Sequence, residues 1–230
     1  MALNDDLQSE VQDIFATRWE TRDGQKVPEA EDVKLGKDAV KLHAVILYAD
    51  LAESTNLVDN NKATFAAEIY KSYLHCASKI IRSEGGVITA FDGDRIMAVF
   101  LGEAKNTSAA RSALKINHAV VKTINPAIKN QYASSTYVLK QSVGIDRSDL
   151  FVARTGIRGS NDLVWVGRSA NYAAKLCSRR VYPYASYITK DVYDNLAAEL
   201  KVTDGQAMWE QEWWAEKQIW TYRSSWIWRP

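Results

Sequence analysis

The spacing of apolar and polar positions changes several times along the chain, and each change marks a predicted element. From His43 to Leu51 the run HAVILYADL is almost continuously apolar and predicts a buried strand ending at a lone carboxylate, Asp50. Between Lys62 and Arg82, Phe65, Ile69, Tyr73, Cys76 and Ile80 recur at helical steps, and Gly85-Gly86 supplies the stop. GGVITAFDGDRIMAVFLG then holds two short apolar runs around Asp92-Gly93-Asp94, the pattern of a tight hairpin. A second helix is predicted from Thr107 to Ile124, broken by Pro126. Alternation at Tyr137, Leu139, Gln141, Val143 and Ile145, followed by LFVART and DLVWV, predicts three more strands. RSANYAAKLCSRR reads as a helix, SYITK as a strand and DVYDNLAAEL as a helix. Residues 1–41 are polar and charged, with a short helical pattern at Val11 to Trp19, and read as an N-terminal extension to a domain spanning 42–230. The order strand, helix, strand, strand, helix, strand points to an α+β fold, a sheet covered by helices on one side, close to the ferredoxin-like unit.

Composition narrows the classes of partner. The 29 basic and 28 acidic residues nearly cancel, so there is no general field to attract nucleic acid or an anionic membrane, and phosphate binding has to be local. No signal-like N-terminus and no long apolar span occur, which predicts a cytoplasmic protein away from the membrane. Cys76 and Cys177 both lie within helical patterns and read as reduced core thiols, and the three histidines show no zinc spacing. Six of the eight tryptophans fall between Met208 and Pro230, which reads either as a terminal hairpin packed on the sheet or as a dimer or partner contact.

The candidate chemistry begins with Asp50 and Asp94, each at a strand tip, where one or two carboxylates can hold Mg²⁺ or Mn²⁺ beside a nucleotide's phosphates. Each residue also suits a local role, Asp50 capping the next turn and Asp94 shaping the hairpin. Asn171 and Lys175 are four apart on one predicted helix and share a face. An amide and an ammonium so placed can orient a ribose and neutralise charge on a phosphate in transfer, although a solvated helix face carries the same residues.

In order and spacing, YADLAEST, FDGDRIMAVF and VGIDRSDLFVARTGIRG continuing into LVWVGRSANYAAKL resemble the motifs of class III nucleotidyl cyclases, over residues 43 to about 195. Within that class the chain looks most like the pyrimidine cyclases of the Pycsar antiphage defence, on LYADL, DGDRIMAVF and VWVG. The resemblance implies that Asp50 and Asp94 hold two Mg²⁺ or Mn²⁺ ions with the Leu51 carbonyl, and that the turn at Ser54 and Thr55 meets the triphosphate. It also implies that Asn171 orients the ribose and that Lys175 stands where the family carries arginine, keeping the charge and losing the bidentate fork. A homodimer with sites at its interface follows, Asn171 and Lys175 facing the carboxylates of the other subunit. The purine-reading positions match Ala90 and Val164, neither of which can hydrogen-bond a purine, while Tyr48 and Arg95 lie beside the two aspartates. Uracil offers two carbonyl acceptors where cytosine replaces one with a donor, so the expected reaction is UTP to 3′,5′-cyclic UMP and pyrophosphate, a signal for a separate effector. The alternatives are a cytidylate cyclase, a non-catalytic nucleotide-binding regulator, and a polymerase-like palm.

Overall fold

The structure is a computed structural model and describes residues 3–230. In chain order it contains α1 (Leu3–Ala16), β1 (Glu20–Asp23), β2 (Asp38–Leu51), α2 (Ser54–Asn60), α3 (Ala63–Ser83), β3 (Val87–Asp92) and β4 (Arg95–Phe100). There follow α4 (Lys105–Ala119), α5 (Asn125–Gln131), β5 (Gln141–Ile157), β6 (Ser160–Val166), α6 (Arg168–Cys177), β7 (Ser186–Thr189) and α7 (Lys190–Asp194). The last strands are β8 (Val202–Thr203), β9 (Gln206–Ala207), β10 (Glu210–Trp214) and β11 (Ile219–Ser224). Among the described residues no helix is long and apolar enough to cross a membrane. The chain divides into two compact units, one made of residues up to 43 with 149–167 and the other of 44–148 with 168–230.

In the first unit, β1 runs parallel to the start of β2, Glu20 to Asp23 paired with Asp38 to Lys41. The end of β5 forms an antiparallel hairpin with β6, from Phe151↔Val166 to Ile157↔Ser160. Trp19 packs edge-on against Phe151 at 4.8 Å and lies outside α1, which starts and ends earlier than the pattern at Val11 to Trp19 predicts. A cation–π contact from Lys37 over the Trp19 ring, 4.6 Å from its centroid, shows that the indole is used in packing outside the helix.

The second unit holds the sheet order β10-β11-β7-β5-β2-β4-β3, of which β5-β2-β4-β3 is the ferredoxin-like core. Side chains alternate across a strand, so β2 and β4 sort theirs onto two faces. Val45, Leu47, Ala49 and Leu51 of β2 and Ile96, Ala98 and Phe100 of β4 join the buried cluster with Ile69, Tyr73 and Ala77 of α3 and Ala109, Ala113 and Ile116 of α4. The intervening positions, Tyr48 and Asp50 on β2 and Arg95 and Met97 on β4, occupy the other face. Gly93 turns the β3–β4 hairpin at φ 60°, a conformation open to glycine.

Three predicted boundaries shift for identifiable reasons. Pro126 does not end the second helix: a π-helical turn, Val120–Ile124, widens the spiral so that the Asn125 amide bonds Val120, and Pro126 falls in the first turn of α5, where its missing N–H costs little. Tyr137–Lys140 is not strand, because Asn125 takes both the N–H and the C=O of Leu139 through its side chain, while the rest of that run and LFVART, expected as separate strands, are one continuous β5 from Gln141, and DLVWV is β6. DVYDNLAAEL is split into α7 and a 3-10 turn at Ala198–Leu200, since Asn195 donates to Asp191 and Thr107 Oγ1 receives the Ala197 amide. The tryptophan-rich tail is a packed terminal hairpin, β10–β11, added to the sheet through β7. Its end is tied down by Asn117, which donates to the Ser225 and Trp226 carbonyls at 3.1 and 3.0 Å.

Candidate active site

The pairing register places two rows of side chains on the sheet face opposite the helices. Across β2, β4 and β3, Tyr48 aligns with Met97 and Ala90, and Asp50 aligns with Arg95 and Asp92. Two residues further along β2 means the same face, so the rows are adjacent. Tyr48, Asp50, Ala90 and Arg95 are thereby brought together on one face of the sheet.

Asp50 is buried at 6% exposure, and one of its carboxylate oxygens, Oδ2, is engaged by two guanidinium groups. Arg95 donates to Asp50 Oδ2 from Nη2 at 3.0 Å and Nε at 3.3 Å. Arg180 donates to the same oxygen from Nη2 at 3.0 Å and to the Leu51 carbonyl at 3.2 Å. Burial draws the Arg95 pKa down, but the Asp50 carboxylate beside it wins and the net shift is upward. The guanidinium therefore stays charged, and its Nη1 amino group is left over for a carbonyl acceptor.

Asp94, at the head of the hairpin, differs. Its Oδ2 is buried and has no hydrogen-bond partner. An enclosed carboxylate oxygen without a partner is costly in a folded protein and needs an explanation. Asp94 and Asp50 act on the same phenols: both push the pKa of Tyr70 and of Tyr73 upward, behind the larger effect of burial. Ser54, at the start of α2, acts on Tyr70 in the opposite direction and lowers its pKa. Glu53, just before α2, sits at φ 61° and bends the chain away from the β2 tip, leaving Ser54 half-buried and Thr55 exposed.

On α6, Asn171 and Lys175 are both exposed on one face. Lys175 Nζ is 2.6 Å from Glu216 Oε1, in the turn between β10 and β11. Gly144 of β5 lies directly beneath the helix, a Cβ there falling 2.1 Å from the Ala173 carbonyl oxygen, so the absence of a side chain lets α6 lie against the sheet. Cys177 at the end of α6 donates to the Ser142 carbonyl at 3.2 Å, and burial pushes its thiol pKa up to about 12. Val164 lies on β6, in the first unit, paired with Ala153.

Comparison with known proteins decides the family. No protein-family model matches the chain. The uridylate cyclase of Burkholderia cepacia is 53% identical over 99% of both chains, and that of Xanthomonas perforans 50% identical over 100% of this chain and 99% of its own. The uridylate cyclase of Rhodovulum is 38% identical over 100% of this chain and 98% of its own.

The chain belongs to the uridylate cyclase family.

It is accordingly a nucleotidyl cyclase, a phosphorus–oxygen lyase, and its fold is that of the class III cyclase catalytic domains. The adenylyl cyclase CyaB from P. aeruginosa superposes with a TM-score of 0.69 at 19% identity, covering 81% of this chain and 95% of that one. The guanylyl cyclase Cya2 gives 0.68 at 15% identity over 83% and 95%.

One side chain at Asp50 that sequence reasoning missed is Arg180. It follows α6 in the basic pair Arg179-Arg180, and nothing in that pair separates a site residue from a solvated helix end. Only the tertiary path, which returns the end of α6 to the tip of β2, places its guanidinium on Asp50 and Leu51. A cavity of about 540 Å³ between α3 and α5, lined by Ser72, His75, Ile124, Ile128 and Tyr132 among others, contains neither aspartate and takes no part in this site.

Proposed function

We propose that the protein is a metal-dependent uridylate cyclase that converts UTP to 3′,5′-cyclic UMP and pyrophosphate. The observation that carries the metal-dependent part is the buried Asp94 Oδ2, which no protein donor satisfies. An oxygen in that condition suits a cation, and Asp50, the Leu51 carbonyl and Asp94 are the residues that would hold Mg²⁺ or Mn²⁺, as a two-ion site. When bound, such ions supply charge neutralisation at the triphosphate and acidify the 3′-hydroxyl.

The chain's own groups do the rest. The 3′-oxygen bonds the α-phosphorus as the bond from that phosphorus to the β-phosphate oxygen breaks, so the reaction is governed by alignment and by where positive charge is held. Asn171 orients the ribose, and Lys175 places its ammonium against charge developing on the transferring phosphate. Ser54 and Thr55 meet the triphosphate at the start of α2. For the base, Tyr48 shares a row with Met97 and Ala90, and the spare Nη1 of Arg95 offers a donor to a uracil carbonyl. Ala90 and Val164 leave no polar reader for a purine.

The names of the relatives support UTP, and the exposure of Asn171 and Lys175 on α6 supports a homodimer in which each copy lends these residues to the other. The cyclic nucleotide then acts as a diffusible signal to a separate effector in cytoplasmic antiphage defence of the Pycsar kind. Incubating the full chain with each of the four nucleoside triphosphates and Mn²⁺, then separating the nucleotides, tests the reading. Cyclic UMP formed from UTP alone is expected. Cyclic CMP would move the assignment to a cytidylate cyclase, and tight binding without pyrophosphate release would make the protein a regulator.

A further inference from the structure

The β10–β11 hairpin is absorbed by none of the roles above, yet it lies against the α6 face that carries Lys175. Trp214, 6% exposed, forms a cluster with Leu176 and Tyr187. Its ring meets Tyr172 at 5.3 Å, and the Arg179 guanidinium stands 5.2 Å from its centroid. Arg179 is also ion-paired with Glu212 of β10. Tyr172 stands three residues before Lys175 on the same helical face, and Arg179 lies just beyond the end of α6. The hairpin is thus anchored on the chain before and after Lys175. Its turn, held by the Lys217 amide on the Trp214 carbonyl at 3.1 Å, presents Glu216 to the Lys175 ammonium at 2.6 Å.

We propose that Glu216 is a positioning residue for catalysis, fixing the direction of the Lys175 ammonium. The inference rests on the role given to Lys175 above. An arginine offers a planar, preorganised fork, whereas a lysine carries a point charge on a flexible stem and loses more freedom for each bond it makes. A carboxylate on an anchored turn removes part of that freedom before substrate arrives. Glu216 is itself held from the other side, by Lys217 at 3.0 Å, and the two ammonium groups, Lys175 first, bring its pKa down to about 2, so it stays ionised throughout the working range. Lys217 in turn stands 5.8 Å from the centroid of Tyr172, closing the contact back onto α6. Both Lys175 and Glu216 are about half exposed, and such a pair adds little to stability. Its value is therefore kinetic, and the tryptophan-rich tail becomes a support for one catalytic side chain.

The test is a set of full-length variants assayed for kcat and KM with UTP and Mn²⁺, with thermal melting of each. Glu216→Gln is expected to lower kcat about tenfold with KM within twofold of wild type and the melting curve unchanged; Glu216→Asp recovers part of the loss. In a Lys175→Arg background, whose fork positions itself, Glu216→Gln costs clearly less, and in Lys175→Ala it costs nothing further. A Glu216→Gln enzyme at wild-type kcat while Lys175→Ala is impaired overturns this proposal alone, as does an equal loss in the Lys175→Ala background. Wild-type kcat in Lys175→Ala overturns the role of Lys175 and this proposal with it.

Discussion

Replacing Asp94 by alanine separates stability from function at the centre of the site. In wild type the Oδ2 oxygen is enclosed without a donor, and such a group costs about 1–3 kcal/mol, more when charged. Asp94 as a whole is only half-buried, so the low end applies: about 1 kcal/mol, equivalent to about 2–4 °C in a domain of this size. The turn does not depend on residue 94 for its shape, because the positive φ falls on Gly93. Asp94→Ala is therefore expected to be more stable than wild type in EDTA by about 1 kcal/mol, measured by urea unfolding of the full chain. Adding Mn²⁺ reverses the order, since only wild type gains binding energy, about 2.7 kcal/mol when the ion is at about 100 times its Kd. Cyclase turnover is lost in the variant. If Asp94→Ala is less stable than wild type in EDTA, the oxygen has a partner after all, and if Mn²⁺ stabilises both proteins equally, the ion does not bind at Asp94.

Asn171→Ala removes one preorganised donor and is expected to lower kcat by about 10²–10³, near 3 kcal/mol, with an unchanged unfolding curve, because the side chain is exposed. Gly144→Ala drives a methyl group into the α6 backbone, 2.1 Å from Ala173 O and 2.3 Å from Cys177 N; a loss of about 1–3 kcal/mol in urea unfolding is expected, with kcat falling as α6 moves. Cys177, fully buried, resists thiol reagents at pH 8 until the protein unfolds, whereas Cys76 reacts first; mass mapping of labelled peptides checks the order. The same thiol gives a pH dependence with a definite sign. Its folded-state pKa of about 12 lies above the ordinary 9.0, so its contribution to stability is complete below pH 9 and is lost as pH rises from there to about 12. Cys177→Ala should flatten that part of the unfolding profile.

Much of this architecture is legible in the sequence because it depends on short-range rules. The β-rich run ending at Asp50, the helical steps from Phe65 to Ile80 and the glycine of the Asp92-Gly93-Asp94 turn each fix an element without help from elsewhere, and together they yield the ferredoxin-like core. The misplaced boundaries share another cause. Pro126, Leu139 and Ala197 are governed by partners outside their own segments: the widened turn at Val120, the Asn125 side chain and the Thr107 hydroxyl. A local pattern contains no information about such contacts.

The site divides along the same line, and the division has a functional meaning. Asp50, Tyr48 and Arg95 are found from the period of one strand and the register of one hairpin. Arg180 and Glu216 are not, because each reaches its target only after the chain has closed, Arg180 across 130 residues to Asp50 and Glu216 across 41 to Lys175. Both are charged groups that satisfy a more recognisable one. The guanidinium groups on Asp50 keep a buried carboxylate tolerable, as a buried charge requires. The Glu216 carboxylate stands 2.6 Å from the flexible Lys175 ammonium. Local pattern thus points to the candidate groups on β2, β4 and α6, while the long-range fold supplies the counter-charges beside Asp50 and Lys175.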